Sequence, residues 1–425
     1  MATTPETALS RPEVYQTRRI QLTSPILHIG SAVSKLSPFE YVQTSKRVYL
    51  PNLEALAKTL YQRGHLQDYI RLIEEQEDIT SLLKDVFGDR WQTAKDSNKQ
   101  AIFPEHTSSL KWTEQRITDL RPMIRNGFGQ LYIPGSSIKG AIRTAIAYYL
   151  IKHADRYQVA KAQQVSEIER KLRQSMGNLK QQAKFADDKL FMDRLFTDFE
   201  LTYQGQPINS RQGPNTDFMR AVQVTDAEPL LEERFINKQG QTGFVNLPVV
   251  AEVIISSRLP DWRAKYRASV YAEMVRNVRT QFTMSLDETM LSWFRRSQGM
   301  QIPFQTVNDI LKICQEFAQD QWDFEHDYWQ AVQNNPNAQG RSLDFSDIRE
   351  SYEADKCPFS LRIGWASGMT GTTVNLLLKE ELKAEIRDAC GLKAPGFEAP
   401  KSRRTVVGLS GGIRFVPGWV KFKVL

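Results

Sequence analysis

The stretch with the clearest chemical potential is IPGSSIKGAIRT, residues 133–144. Gly135 allows a close backbone approach, and a helix starting behind it turns unpaired N–H groups and the positive end of its dipole toward the approaching group. That is anion chemistry, phosphate above all. Lys139 and Arg143, four residues apart and opposite the apolar stripe, could each neutralise one phosphate. The triphosphatase spacing GxxxxGK[ST] is absent, since Gly140 is followed by Ala141. Local chemistry leaves a second reading equally open, in which the turn only caps the helix through Ser136 or Ser137.

Other residues invite chemistry more weakly. His28, in a loop after a strand, has the type of a general base for a ribose 2′-hydroxyl, but no partner is assignable to it. His65, His106, His153 and His326 lie in polar segments. Asp226 follows a strand-like run and reads as structural, while Asp323, Glu325 and Asp327 would be dispersed around a helix and solvated. No catalytic residue, metal site or cofactor is assigned. A second glycine turn, LRIGWASGMTGTTV (361–374), holds Trp365, which either stacks on a base or is buried beside the turn. Lys401, Arg403 and Arg404 form a basic cluster beside strand-like sequence, read as RNA-facing or as a solvated edge.

The elements that must position these groups follow from periodicity. Residues 18–22 alternate as a strand and lead into the loop at Gly30 and Ser31; 48–50 reads as a short strand, and a helical excursion runs from Asn52 to about Leu120. Leu131 and Ile133 alternate as a strand before the break at Pro134 and Gly135. The helix beyond carries its stripe on Ile138, Ile142, Ala145, Ile146, Tyr149 and Leu150. A long charged helical segment follows, around residues 165–179. Residues 218–224 and 245–256 are strand-like, and 261–299 reads as helix. The run 316–355 holds ten acidic residues against two basic ones, which suits protein or solvent better than nucleic acid. A strand at 360–363, the second glycine turn, a helix from Thr372 to a stop at Gly391, and strands near Thr405 and Trp419 complete the chain. Two strand–loop–helix units thus suggest a degenerate duplication.

Length and charge agree with this organisation. The 425 residues, 41% of them hydrophobic, suit two domains, and 56 Lys plus Arg against 49 Asp plus Glu leave a net charge of +7 that favours an anionic partner. We expect a polar leader over 1–12, one domain over 13–240 with helical insertions near 52–120 and 152–215, and a second over 241–425 with an insertion near 261–355. From Lys393 onward Glu398 is the sole acid among seven basic residues. Cys314, Cys357 and Cys390 form no CxxC pair, so a reducing, cytoplasmic setting fits. The most apolar runs are too short to span a membrane, and 3–11 is too polar for a secretory signal.

The run MIRNGFGQLYIPGSSIKGAIRT (123–144) closely resembles the signature loop of the RAMP superfamily of CRISPR-associated proteins. Further landmarks narrow the resemblance to the large subunits that cap the 3′ side of the guide RNA in type III-A (Csm) effector complexes. TSPILHIGS (23–31) resembles the first strand and loop, VQVTDAEPL (222–230) a Val-x-Asp strand, LRIGWASGMTGTTV the second glycine loop, and APKSRRTV (399–406) with PGWVKFKV (417–424) the basic ending. PGSSIKG alone is shared among paralogues, and 61–113, 152–215 and 293–355 are unmatched.

The resemblance implies an α+β fold of two ferredoxin-like (RRM-like) domains with long helical insertions. It also implies crRNA, the guide, as ligand, a repeating RAMP backbone subunit as neighbour, and a part in guide maturation without an intrinsic nuclease. Host trimming nucleases are a further candidate partner. By the same resemblance His28, Gly30, Ser31, Gly135, Ser136, Ser137, Lys139 and Arg143 would contact the guide, joined by Gly364, Trp365, Ser367 and Gly368 from the second loop and by Lys401, Arg403 and Arg404. No RNP motif is present, so readout by aromatics on an open sheet face is not expected. Two competing readings are an endoribonuclease that uses His28 on precursor RNA, and an interaction scaffold whose acidic run 316–355 meets a basic neighbour.

Overall fold

In the computed structural model, which describes residues 15–182, 188–209, 211–236, 240–295, 299–389 and 399–425, one mixed sheet organises the chain. Its strands are Tyr15–Leu27 (β1), Val42–Gln43 (β2), Arg47–Tyr49 (β3), Ser108–Trp112 (β4), Val222–Val224 (β5), Leu247–Arg258 (β6), Ala264–Asp287 (β7), Leu361–Arg362 (β8), Arg403–Val407 (β9), Ile413–Phe415 (β10) and Trp419–Val424 (β11). They run in the order β8-β11-β1-β7-β6-β4-β3-β2, with β9 also on β6, β10 on β9 and β5 on β7. β1 lies between β7 and β11, so strands from both sides of residue 240 share the sheet. The α+β class stands.

β6 is a near-continuous aliphatic run buried along most of its length, the pattern of a strand covered on both faces. β7 corrects the helix expected over 261–299. Its Arg and Glu residues imitate a polar helical face, but Val270, Ala272 and Met274 recur with period two. Lateral pairing decides the outcome: residues 275–287 bond to β1 and 264–276 to β6.

Three helices, Leu53–Gln62 (α1), Leu66–Glu74 (α2) and Thr80–Phe87 (α3), close over Trp91 as a satellite core. Gly135–Lys152 (α4) and Val307–Ala331 (α5) contribute to the principal core with β1 and β7. Ile138, Ile142 and Ile146 of α4 are fully buried, each worth about 1.5–3 kcal/mol of burial free energy. Thr306 and Asp309 form a reciprocal capping box that starts α5.

Several local expectations are corrected. Residues 131–133 form no strand, only an isolated bridge at Leu131, because their backbone groups bond irregularly to 227–230. Residues 218–221 are a short 3-10 turn ahead of β5. The helix expected from Thr372 divides into Gly368–Thr372 and Glu380–Ala389, separated where Thr373 turns extended. The acids of α5 are not merely solvated: Lys152 reaches Glu316 (3.1 Å) and Asp320 (2.5 Å), and the buried Glu325 accepts from Arg403 at 3.0 Å. The expected leader over 1–12, Cys390, the helix stop at Gly391, Lys393 and Glu398 lie outside the described residues.

Candidate nucleic-acid interface

The first glycine loop is filled from within the chain. Gly135 N–H donates to Asp226 Oδ1 at 2.7 Å, so the start of α4 is capped by a carboxylate from the 222–230 segment and not by Ser136 or Ser137. A Cβ at Gly135 would lie 2.5 Å from the Val224 carbonyl oxygen, so this glycine admits a neighbouring segment of the same chain. Lys139 Nζ donates to the Val222 carbonyl at 2.7 Å, and burial lowers its pKa more than Asp217 raises it. Arg143 pairs with Asp217 at 2.5 Å and lies 3.7 Å above the Phe196 ring. Ser136 is exposed and Ser137 half-buried.

The second loop is built against the loop that carries His28. Gly364 has φ +86° and ψ −174°, a region open essentially only to glycine, and a Cβ there would collide with the His28 carbonyl oxygen. That carbonyl accepts the Trp365 N–H at 3.1 Å. His28 itself is 3% exposed; its Nδ1 lies 2.6 Å from the Glu273 carbonyl oxygen and its ring meets Trp365 edge-on at 5.5 Å. Burial pushes its pKa below the ordinary imidazole value, against the raising influence of Glu273. Ser367 points inward, its hydroxyl donating to the Gly364 carbonyl at 2.7 Å, whereas the space beside Gly368 is open. Ser31 donates to Val33, and Gly30 is exposed.

Trp365 is the centre of a cationic cluster. The guanidinium of Arg404 lies 4.5 Å from its ring centroid and that of Arg121 5.3 Å. Arg404 has a buried Nε without a partner; burial lowers its pKa first, then Arg121 and Arg362. The basic trio expected at 401–404 is therefore divided, because neighbouring strand residues face opposite ways. Arg404 turns to Trp365, while Arg403 is buried and ion-paired with Glu325. Lys401 is half-buried, and burial lowers its pKa first, then the charges of Arg267, Arg387 and Lys265, against the raising influence of Asp388.

Beneath Trp365, one apolar cluster of the sheet gathers Ile26, Val249, Ala251, Val253, Ala272, Met274 and Val406, with Trp112, Trp365 and Phe415 packed on it. Among the described residues no α-helical side chain joins it. The sheet residues of this cluster are buried, and Trp112, Trp365 and Phe415 are its half-buried aromatic members.

Residues 19–343 match the family model described as the RAMP superfamily. The chain belongs to the RAMP superfamily. Its relative in Enterococcus italicus, the "CRISPR system Cms protein Csm5", is 25% identical over 154 residues, which are 32% of this chain and 43% of the relative's length. The fold recurs in a chain of the "Csm-crRNA-target RNA ternary complex in type III-A CRISPR-Cas system", with TM-score 0.60, 21% identity and coverage of 96% of this chain and 100% of that one. It recurs too in Csm5 of T. onnurineus, with TM-score 0.54, 17% identity and coverage of 96% and 100%.

In this RAMP chain, then, the structure brings His28, Gly364, Trp365 and Arg404 together and leaves Gly135, Lys139 and Arg143 as a separate group. Sequence reasoning missed Arg121, Arg276, Trp112 and Phe415. Arg276, Trp112 and Phe415 are brought near one another by strand pairing, and Arg121 by an isolated bridge to Ala272, so their sequence neighbours carry no signal of it. No helix among the described residues is long and apolar enough to cross a membrane.

Proposed function

We propose that this protein binds the guide RNA of a type III-A CRISPR effector complex, as the large subunit at the 3′ side of the guide, and acts by holding RNA and not by cutting it. The observation that carries the reading is the junction of the His28 loop with the second glycine loop. There Trp365 has the guanidinium groups of both Arg121 and Arg404 within 5.3 Å of its ring centroid and packs on an apolar cluster of the sheet. A half-buried arginine without an acidic partner invites a polyanion, and an aromatic beside it offers a base something to stack on.

The family match and the Csm-complex fold support the same ligand. In this reading the open space at Gly368 admits the backbone, and Gly30, Ser31, Ser136 and Ser137 line its path. Gly135, Lys139 and Arg143 hold the first loop in shape. A neighbouring RAMP backbone subunit and guide-trimming nucleases remain its proposed protein partners. The endoribonuclease alternative draws no support from His28, which is buried and held by the Glu273 backbone. The scaffold alternative loses part of its basis, since Glu316, Asp320 and Glu325 are paired inside the chain.

Incubating the purified full chain with single-stranded guide RNA should give binding that weakens with salt by about 0.7 log units per log unit of salt for each neutralised phosphate. Arg404→Ala should lower both the affinity and that slope. Cleavage of precursor guide RNA that His28→Ala abolishes would overturn the proposal.

A further inference from the structure

Arg276 stands where a sheet rarely keeps a cation. It lies on β7, paired with Ile26 of β1 on one side and Leu247 of β6 on the other, next in its row to Met274 and Ala272. Its guanidinium lies 3.9 Å from the Trp112 ring centroid and 5.5 Å from that of Phe415. Trp112 reaches this place from β4 through pairing with Ala251, and Phe415 from β10 opposite Val406. Both rings are half-buried on the apolar cluster that carries Trp365.

The charge is uncompensated. The Arg276 side chain makes no hydrogen bond or ion pair among the described residues, and its Nε is buried without a partner. The charged group that acts on it is a second cation, Arg414, and burial followed by Arg414 lowers its pKa. A half-buried guanidinium beside indole and denied a carboxylate has a planar surface and several N–H donors to offer another molecule. A compact anion alone would leave that plane unused; a protein carboxylate would do the same. A nucleotide uses both, its base on the plane and its phosphate at the N–H edge.

We propose that Trp112, Arg276 and Phe415 form a second platform on the same sheet face, on which an unpaired RNA nucleotide stacks against the Arg276 guanidinium. The Trp365 cluster, with Arg404 and Arg121, holds a neighbouring part of the strand. This inference rests on the RNA-binding reading above and adds a site that the glycine loops do not contain.

The test uses the full chain and fluorescence anisotropy with a labelled oligouridine and with an RNA duplex of equal length. Arg276→Ala should weaken oligouridine binding about tenfold and reduce the salt slope by about 0.7, with a smaller effect on the duplex. Arg276→Lys should keep the slope and still lose affinity, because it keeps the charge and not the plane. Circular dichroism checks that each variant is folded, and should Arg276→Ala fail to fold, Arg276→Lys and Trp112→Phe decide. Unchanged affinity in Arg276→Ala with a weakened Arg404→Ala would overturn the platform and leave the RNA reading standing. Equal losses on oligouridine and duplex would reduce it to an unspecific charge. Unchanged RNA affinity with failed co-assembly of the effector complex would place a protein carboxylate there and likewise overturn it. No RNA binding by the wild-type chain would remove the reading on which it rests.

Discussion

The two glycine loops look alike as sequence and behave differently as structure. The first is closed by its own chain: Asp226 caps α4, Val222 takes the Lys139 ammonium, and Asp217 takes Arg143. The second meets the His28 loop through Gly364, leaves space at Gly368, and sets Trp365 among arginines of which Arg404 has an unpartnered buried nitrogen. A glycine beside a helix start is therefore an anion site only when no internal carboxylate has reached it first. Cations seen at helical spacing report phosphate binding only when their internal partners are known.

The largest expected effect concerns the glycines themselves. Gly364→Ala combines a glycine-only conformation with a backbone collision and should cost about 3–5 kcal/mol. Gly135→Ala has the collision alone and should cost about 1–3 kcal/mol. Urea midpoints measure both, and equal losses would break the distinction. Next comes RNA affinity, where Arg404→Ala should lose about tenfold and Lys139→Ala with Arg143→Ala about twofold or less. The reverse order in a filter-binding titration would return the phosphate grip to the first loop.

Asp226→Ala removes a helix cap and should cost about 1 kcal/mol in urea unfolding, with RNA affinity nearly unchanged. A marked drop in affinity would make Asp226 part of the binding site. The smallest effect is the pH dependence of His28. Its folded pKa is depressed, so the unfolded chain binds more protons below the unfolded value. Its contribution to stability is complete above about pH 6.5 and falls as pH drops, by at most about 1.4 kcal/mol per pH unit. His28→Gln should flatten that part of the urea midpoint profile between pH 7 and 5.5. An unaltered profile would mean that the imidazole is not held neutral by burial.

Much of this was legible from local pattern. β6 declares itself by a run rich in Val and Ile, α4 by its isoleucine stripe, and the glycine loops by their resemblance to the family. What was not legible depends on partners distant in sequence. β7 carries charges at spacings that suit a helix and becomes a strand because β1 and β6 bond to its two edges. The cap of α4 comes from Asp226, 91 residues away, so no inspection of PGSS could find it. Arg403 and Arg404 are adjacent letters on opposite faces of β9, one serving an internal ion pair and the other the candidate interface.

The place of β1 in the sheet bears on how the chain matures. Thr23 of β1 pairs with Arg279 on one side and with Lys421 on the other. At a synthesis rate of roughly 5–20 residues per second, its two partners leave the ribosome on the order of 7–28 s apart, and Thr23 itself waits on the order of 20–80 s for the second. Until then an edge of β1 stays open as a template for wrong pairing. The central sheet can be completed only after the β11 residues have been made, which makes its assembly a late step and ties the period of aggregation risk to translation speed.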